Sequence, residues 1–461
     1  MGLGLMAIRL LTLVAVTVLG CSSNSHNPPR GGDPKQVTTK PGQQRVADKQ
    51  DEPKARKKAK QPRRITQRSG TTWTPAPTDP FRLPTLTEIR LPSFPGSYAI
   101  WGATGRDDSG LVWFGVSATG VPNPSARLYS FNPQTEQVTL RGDVVSQLKS
   151  NGVYRDGEGQ MKIHSKIVQG DDGWIYFASM DEQGEKSDGV TYPKWGGHLW
   201  RLHPSRKKWE HLLSTKEALI ALDGNGRWIY ALGYFQHVLY QFDTQTRRIR
   251  QIKVGSAGAH ISRNFLVDLN GHAYVPRVSA APSASKNKGK VELRASLVEF
   301  DQKLQPVGET SLPHYGQGTS FSSHGLTSFA NLSNGVILFT THLGRFYRVE
   351  PGKKASAKVT EIGWFHPRRK SYTSVLSAFT GGRYACGIAR LKGHNYQWVV
   401  YDLQAGRSLA IDFPKVNNNV FTRRSFLLYG SNTRDESGRS YPGGRFVNER
   451  GSQPVLLQLT P

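Results

Sequence analysis

The sequence predicts an all-β domain of the β-propeller class, with seven blades the preferred count and six or eight admitted by the spacing. Three observations lead there. From Pro80 onward no long stretch has helical periodicity, residues 143–149 and 214–218 being the two short exceptions. A two-part unit recurs six times. Its first part is a Gly-containing turn and an aromatic strand: DDSGLVWFGV (107–116), DDGWIYFAS (171–179), GNGRWIYALG (224–233), LNGHAYVPR (269–277), LSNGVILFTT (332–341) and TGGRYACGI (380–388). Its second part is a strand ending in a polar turn, as in RLYSFNP (127–133), VLYQFDT (238–244) and WVVYDLQ (398–404). Those turns, at Asn132, His203, Asp243, Asp301, Glu350 and Asp402, lie 71, 40, 58, 49 and 52 residues apart, the length of blades with loop insertions.

Alternating apolar and polar residues make strands with one face on a core, and Gly, Asn and Asp turns join them as hairpins. Each unit is a small antiparallel sheet that cannot bury its own face, so neighbours must stack. A degenerate seventh unit runs from FTRRSFLLYG (421–430) to PVLLQLT (454–460). The strand within FRLPTLTEIRLP (81–92) is expected to pair into it and close the ring, because an open ring leaves two exposed sheet edges. A pair of β-sandwiches is the alternative, and it would not repeat one unit so often. SAAPSASKNKGKVE (279–292) reads as a surface insertion.

The domain expected over 80–461 follows two other segments. Residues 1–20 hold Arg9 and an apolar run over 10–19, too short to span a bilayer but suited to a signal peptide. Val18-Leu19-Gly20-Cys21 resembles the lipobox of bacterial lipoproteins, with Leu19 larger than is usual there. The resemblance implies cleavage before Cys21 and acylation of that residue, palmitate included. It thereby implies a membrane partner and a cell-envelope location, the outer membrane in a diderm cell because Ser22 rather than Asp follows. Residues 21–79 are rich in Pro, Gly, Lys and Arg around KARKKAKQPRR (54–64) and are expected to be a disordered tether. A flexible chain of that length reaches roughly 40 Å.

The net charge is +27, of which residues 21–70 contribute +9 (13 Lys/Arg, 4 Asp/Glu) and residues 71–461 contribute +17 (47 and 30). Such a balance favours acidic polysaccharide, lipid head groups or other polyanions, and export disfavours nucleic acid. With Cys21 acylated, Cys386 is left alone and is expected to be a buried, inert thiol.

HSKIVQGDDGWIYFAS with YPKWGGHLWRLHPSRKKWEHL (164–212) is similar to propellers of the superfamily that includes gluconolactonases (regucalcin-like), NHL repeats and streptogramin lyase. The resemblance covers residues 95–460 and implies the fold. Streptogramin lyase uses His with acidic partners and magnesium, and gluconolactonases a carboxylate-rich metal site. No run of acidic residues here maps onto either.

The first residues of each inner strand should line one mouth of the central channel. His164, Lys166, His260, Arg263, His324, Tyr372 and Arg424 are the candidates for ligand binding there. One reading is a non-catalytic pocket for an anionic glycan or peptide. Another is a metal-assisted polysaccharide lyase or hydrolase: His164, His260 and His324 hold a divalent metal, Arg263 and Arg424 bind acid groups, and Tyr372 assists proton transfer. The third is a structural lining, with the protein an interaction platform for envelope partners. Asp107-Asp108 and Asp171-Asp172 read as Asx-turn formers. No GxSxG, P-loop, HExxH or CxxC pattern is present.

Overall fold

Short strands of alternating pattern pair antiparallel into seven sheets in the computed structural model. It describes residues 79–461 except 187, 189, 207, 258–259, 282–291, 317–324, 353–355, 380–381, 414–425, 430–432, 436 and 450. The expected signal peptide, Cys21 and the tether up to residue 78 lie outside the described residues, as do His324 and Arg424.

From the inner strand outward, blade 1 is Ser97–Ala99 with Thr104–Arg106, then Val112–Ala118, Arg127–Asn132 and Gln137–Asp143. Blade 2 is Lys162–Ile163 with Val168–Gln169, then Ile175–Met180, Gly197–His203 and Lys208–Thr215. Blade 3 runs Leu219–Gly224, Trp228–Gly233, Val238–Asp243 and Ile249–Lys253; blade 4 runs Leu266–Val267, Ala273–Ala281, Glu292–Phe300 and Pro306–Ser311. Blade 5 runs Leu326–Asn331, Ile337–Thr341, Arg345–Glu350 and Lys358–Trp364; blade 6 runs Tyr372–Phe379, Tyr384–Arg390, Tyr396–Asp402 and Arg407–Asp412. Blade 7 is Phe426–Tyr429, Gly443–Asn448 and Gly451–Thr460, and its outermost strand is Thr85–Ile89. Thr85 pairs with Thr460 and Ile89 with Leu456, so the ring is closed from both ends of the domain, as the sequence predicts.

Each gap between neighbouring blades holds its own apolar cluster. Phe114, Tyr129 and Ile100 of blade 1 pack on Leu456 and Tyr441 of blade 7. Trp113 and Leu128 on the other side of blade 1 pack on Phe177 and Trp200 of blade 2. Comparable clusters fill the five remaining gaps. Cys386 lies in the cluster between blades 6 and 7, buried and free, and burial drives its thiol pKa upward.

In blades 1, 4 and 7 the turn between first and second strands is held by one device. Asp107 accepts from the Ser109 and Leu111 amides, and its other oxygen accepts from Trp113 Nε1 at 2.8 Å. Asp268 repeats this with the Asn270 and His272 amides and the Tyr274 hydroxyl (2.9 Å), and Asp435 with those of Ser437, Arg439 and Tyr441. Each Asp closes an Asx turn and ties it to an aromatic residue six positions on.

One helix is described, Val144–Ser150, capped by the Asp143 carboxylate on the Ser146 amide (2.9 Å). The other expected helical turn, 214–218, is corrected: Lys208–Thr215 continues as a strand, because its residues complete the outer edge of blade 2.

Asp268→Ala is expected to destabilise the protein by roughly 2 kcal/mol, since the buried Tyr274 hydroxyl and two turn amides lose their acceptor. Urea unfolding of the variant against wild type measures it.

Candidate functional site

The inner strands of blades 1 and 2 are both interrupted, over 100–103 and 164–167. The neighbouring blades approach closely here. Ile167 N donates to the Thr104 carbonyl at 3.1 Å, and a Cβ on Gly105 would lie 1.8 Å from the Ile167 carbonyl oxygen. In these gaps Trp101 and His164 leave the ladders and stack on each other, ring centroids 6.1 Å apart and 16° from parallel.

Arg263, just before the inner strand of blade 4, reaches both. Its Nη1 donates to His164 Nε2 at 3.1 Å, and its guanidinium lies 5.7 Å from the Trp101 ring and 5.0 Å from the Tyr429 ring. A side chain of blade 4 meets residues of blades 1, 2 and 7 only across the central opening, so this cluster marks the channel. With Nε2 accepting, His164 carries its proton on Nδ1, which donates to the Ile220 carbonyl at 2.8 Å. Tyr372 of blade 6 adjoins: burial raises its hydroxyl pKa, and the Arg263 charge opposes the rise.

Three further cations gather at this axis. Arg445 lies 5.3 Å and the Lys162 ammonium 4.9 Å from the Trp101 ring. Burial lowers the pKa of Lys162, against the opposing charge of its partner Glu182. Lys166 stands 3.7 Å from Asp223 and over the Phe329 ring, and burial lowers its pKa as well. The described channel wall therefore holds Arg263, Arg445, Lys162 and Lys166 against Glu182 and Asp223, with Trp101 and Tyr429 among them. Such a set can hold an anion through charge-assisted hydrogen bonds.

The structure thus brings His164, Arg263 and Tyr372 together, with Lys166 beside them on blade 2. His260 goes elsewhere. Its Nδ1 bonds Ser256 Oγ (2.8 Å), its Nε2 bonds the Tyr315 hydroxyl (2.7 Å), and its ring packs 5.0 Å from His237. It is buried between blades 3, 4 and 5, with both ring nitrogens occupied. The expected metal ligands His164 and His260 consequently do not fit one ion: one imidazole sits between a carbonyl and a guanidinium, the other between two hydroxyls. Among the described residues no group of three His, Cys, Asp or Glu side chains is placed to hold a metal.

Trp101, Tyr429, Arg445 and Lys162 were not among the expected site residues. Trp101 is legible only as an inner-strand residue, and its role depends on the strand break. Arg445 belongs to a second strand, which the reading of inner strands passes over. A second feature escaped because its residues were read singly. Glu158, fully buried, accepts from His198 Nε2 at 2.9 Å, and His198 Nδ1 meets His211 Nε2 at 2.9 Å. Burial would raise the Glu158 pKa, but His198 and Arg155 outweigh it and hold the carboxyl at about 2. This network fastens the loop after the helix to the outer half of blade 2.

No protein-family model matches the chain. No curated protein matches it. Solved structures do, and the class the strand order itself defines is the β-propeller. The propeller domain of Cps50 (Swd1) from Myceliophteria thermophila is 10% identical, covering 82% of this chain and 100% of that one, with a TM-score of 0.48. YCF48 bound to D1 peptide is 11% identical over 84% and 98%, TM-score 0.44. The propeller of the trilobed protease from Pyrococcus furiosus, of open velcro topology, is 10% identical over 78% and 95%, TM-score 0.41. These are distant likenesses, and the seven blades rest on the sheet order itself.

Glu217, in the loop entering blade 3, is buried with one oxygen on the Gln236 amide (3.2 Å), and burial raises its pKa from 4.5 to about 7. A carboxyl whose folded pKa is raised costs stability once ionised, so the cost grows as pH rises from 4.5 to 7. Glu217→Gln is expected to gain up to about 3 kcal/mol over wild type at pH 8 and almost nothing near pH 5. Melting temperatures of the pair across that range test it.

Proposed function

We propose that this chain is a lipid-anchored cell-envelope protein whose propeller is a binding module for an anionic ligand, an acidic glycan before an anionic peptide, held at the channel mouth. The observation that carries the reading is the pair of guanidiniums, Arg263 and Arg445, 5.7 and 5.3 Å from the ring of the half-buried Trp101. The indole is met by His164, Tyr429 and the cations, so its part is to gather the guanidiniums at this point, and a guanidinium takes a carboxylate through paired N–H groups. Cations outnumber carboxylates at this axis, which selects for negative charge. The contacts of His164 favour binding over metal-assisted lyase or hydrolase chemistry, because its Nε2 is committed to Arg263.

The anchor reading rests on Val18-Leu19-Gly20-Cys21 and on the basic segment behind it, which suits an anionic lipid surface. Among the described residues no helix is long and apolar enough to cross a membrane.

Trigalacturonate titrated calorimetrically into the protein is expected to bind, and Arg263→Gln to weaken binding about tenfold or more. Raising the salt should weaken it further. Unchanged affinity in Arg263→Gln would remove the channel from the reading. In a bacterial host, labelled palmitate is expected to enter the wild-type chain and not Cys21→Ala; equal labelling of both would overturn the anchor.

A further inference from the structure

The face of the ring that carries the loops entering each inner strand is divided by charge. In blade 2 the loop between second and third strands (181–196) holds Asp181, Glu182, Glu185 and Asp188 against Lys186 and Lys194. Across the opening, the loop entering blade 6 (365–371) holds Arg368, Arg369 and Lys370, and the loop between that blade's second and third strands (391–395) holds Lys392 and His394. Neither of these two loops contains a carboxylate, and all five side chains are exposed.

The lip is built rather than loose. His366 is fully buried, its Nε2 on Gln397 Oε1 (2.8 Å) and its Nδ1 on the Arg368 amide (3.0 Å). The Arg369 amide turns back onto the His366 carbonyl at 2.8 Å, with Arg369 at φ 71°. This tight turn presents three successive cations outward. The two loops adjoin, since His366 of the first bonds Gln397, two residues past the second. Two residues past Lys370 the chain reaches Tyr372, beside Arg263 in the channel. Among the described residues, cations therefore stand both at the axis and on the rim of blade 6, with the start of that blade's inner strand leading from one to the other.

We propose that the ligand is a polymer, an acidic polysaccharide whose end sits at Trp101 and whose following residues lie across the Arg368–Arg369–Lys370 lip, away from the carboxylates of blade 2. This rests on the anionic-ligand reading above and adds to it a direction and a length. A single acidic sugar satisfies only the channel cations; the lip fits carboxylates that recur along a chain. Polynucleotides and anionic membranes carry charge of the same sign, but a membrane is too flat to reach cations set in the channel, and the envelope reading above puts polynucleotides out of reach.

The test compares oligogalacturonate trimer and nonamer on the full chain by titration calorimetry. Wild type is expected to bind the nonamer about tenfold or more tighter than the trimer. R368A/R369A/K370A should lose that gain and keep trimer affinity within about twofold, while R263Q weakens both. Should the triple variant melt below wild type, the charge-reversal pair R368E/K392E gives the same comparison on an intact turn. A gain that persists in either lip variant overturns the extension and leaves the channel site standing. Failure of wild type to bind either oligomer overturns both readings. Displacement of the nonamer by single-stranded DNA or phosphatidylglycerol vesicles at lower concentration than by polygalacturonate overturns the polysaccharide assignment.

Discussion

A four-stranded sheet with apolar side chains on both faces has no means of shielding either one, and every other feature of this molecule follows from that constraint. Blade 1 shows it most simply: Phe114 and Tyr129 point toward blade 7, while Trp113 and Leu128 point toward blade 2. Each blade completes its neighbour's core, so the series can stop only by returning to its start. Closure in turn draws the inner strands to a common axis, where Arg263 of blade 4 comes within hydrogen-bonding distance of His164, 99 positions away in sequence.

Much of this was legible because the punctuation is local. The Asx turns at Asp107 and Asp268 and the aromatic strand behind each are short-range signals, repeated at blade length, and they placed the second and third strands well. The closing strand was legible for the opposite reason: Thr85–Ile89 had no partner nearby. What failed was the inner strands. They are two to three residues long in blades 1, 2 and 4, and two are broken, so neither period nor propensity marks them. Of the residues expected there, His164, Arg263 and Tyr372 adjoin one another, whereas His260 bonds Ser256 and Tyr315 instead. Trp101 and Arg445 could not be found by reading one strand at a time, since their contact depends on the gap between two segments of one inner strand.

The electrostatics of the axis show how so much positive charge is tolerated. Lys162 and Lys166 are taken from water, and burial lowers the pKa of each; the charges of Glu182 and Asp223 oppose that fall. Arg263 and Arg445 use aromatic faces instead, which supply negative potential without adding a formal charge. The wall therefore stays cationic while remaining folded, a balance that two more carboxylates would have cancelled.

The pairing of Thr85 with Thr460 joins residues 375 positions apart, which sets an order of events during biosynthesis. The outermost strand of blade 7 leaves the ribosome among the first parts of the domain, and its only ladder partner emerges among the last. Until then six finished blades carry an uncovered flank at each end, so a nascent chain is at its stickiest just before completion. A holding chaperone would have most to do in that interval, and truncations near residue 450 should aggregate rather than yield a smaller ring.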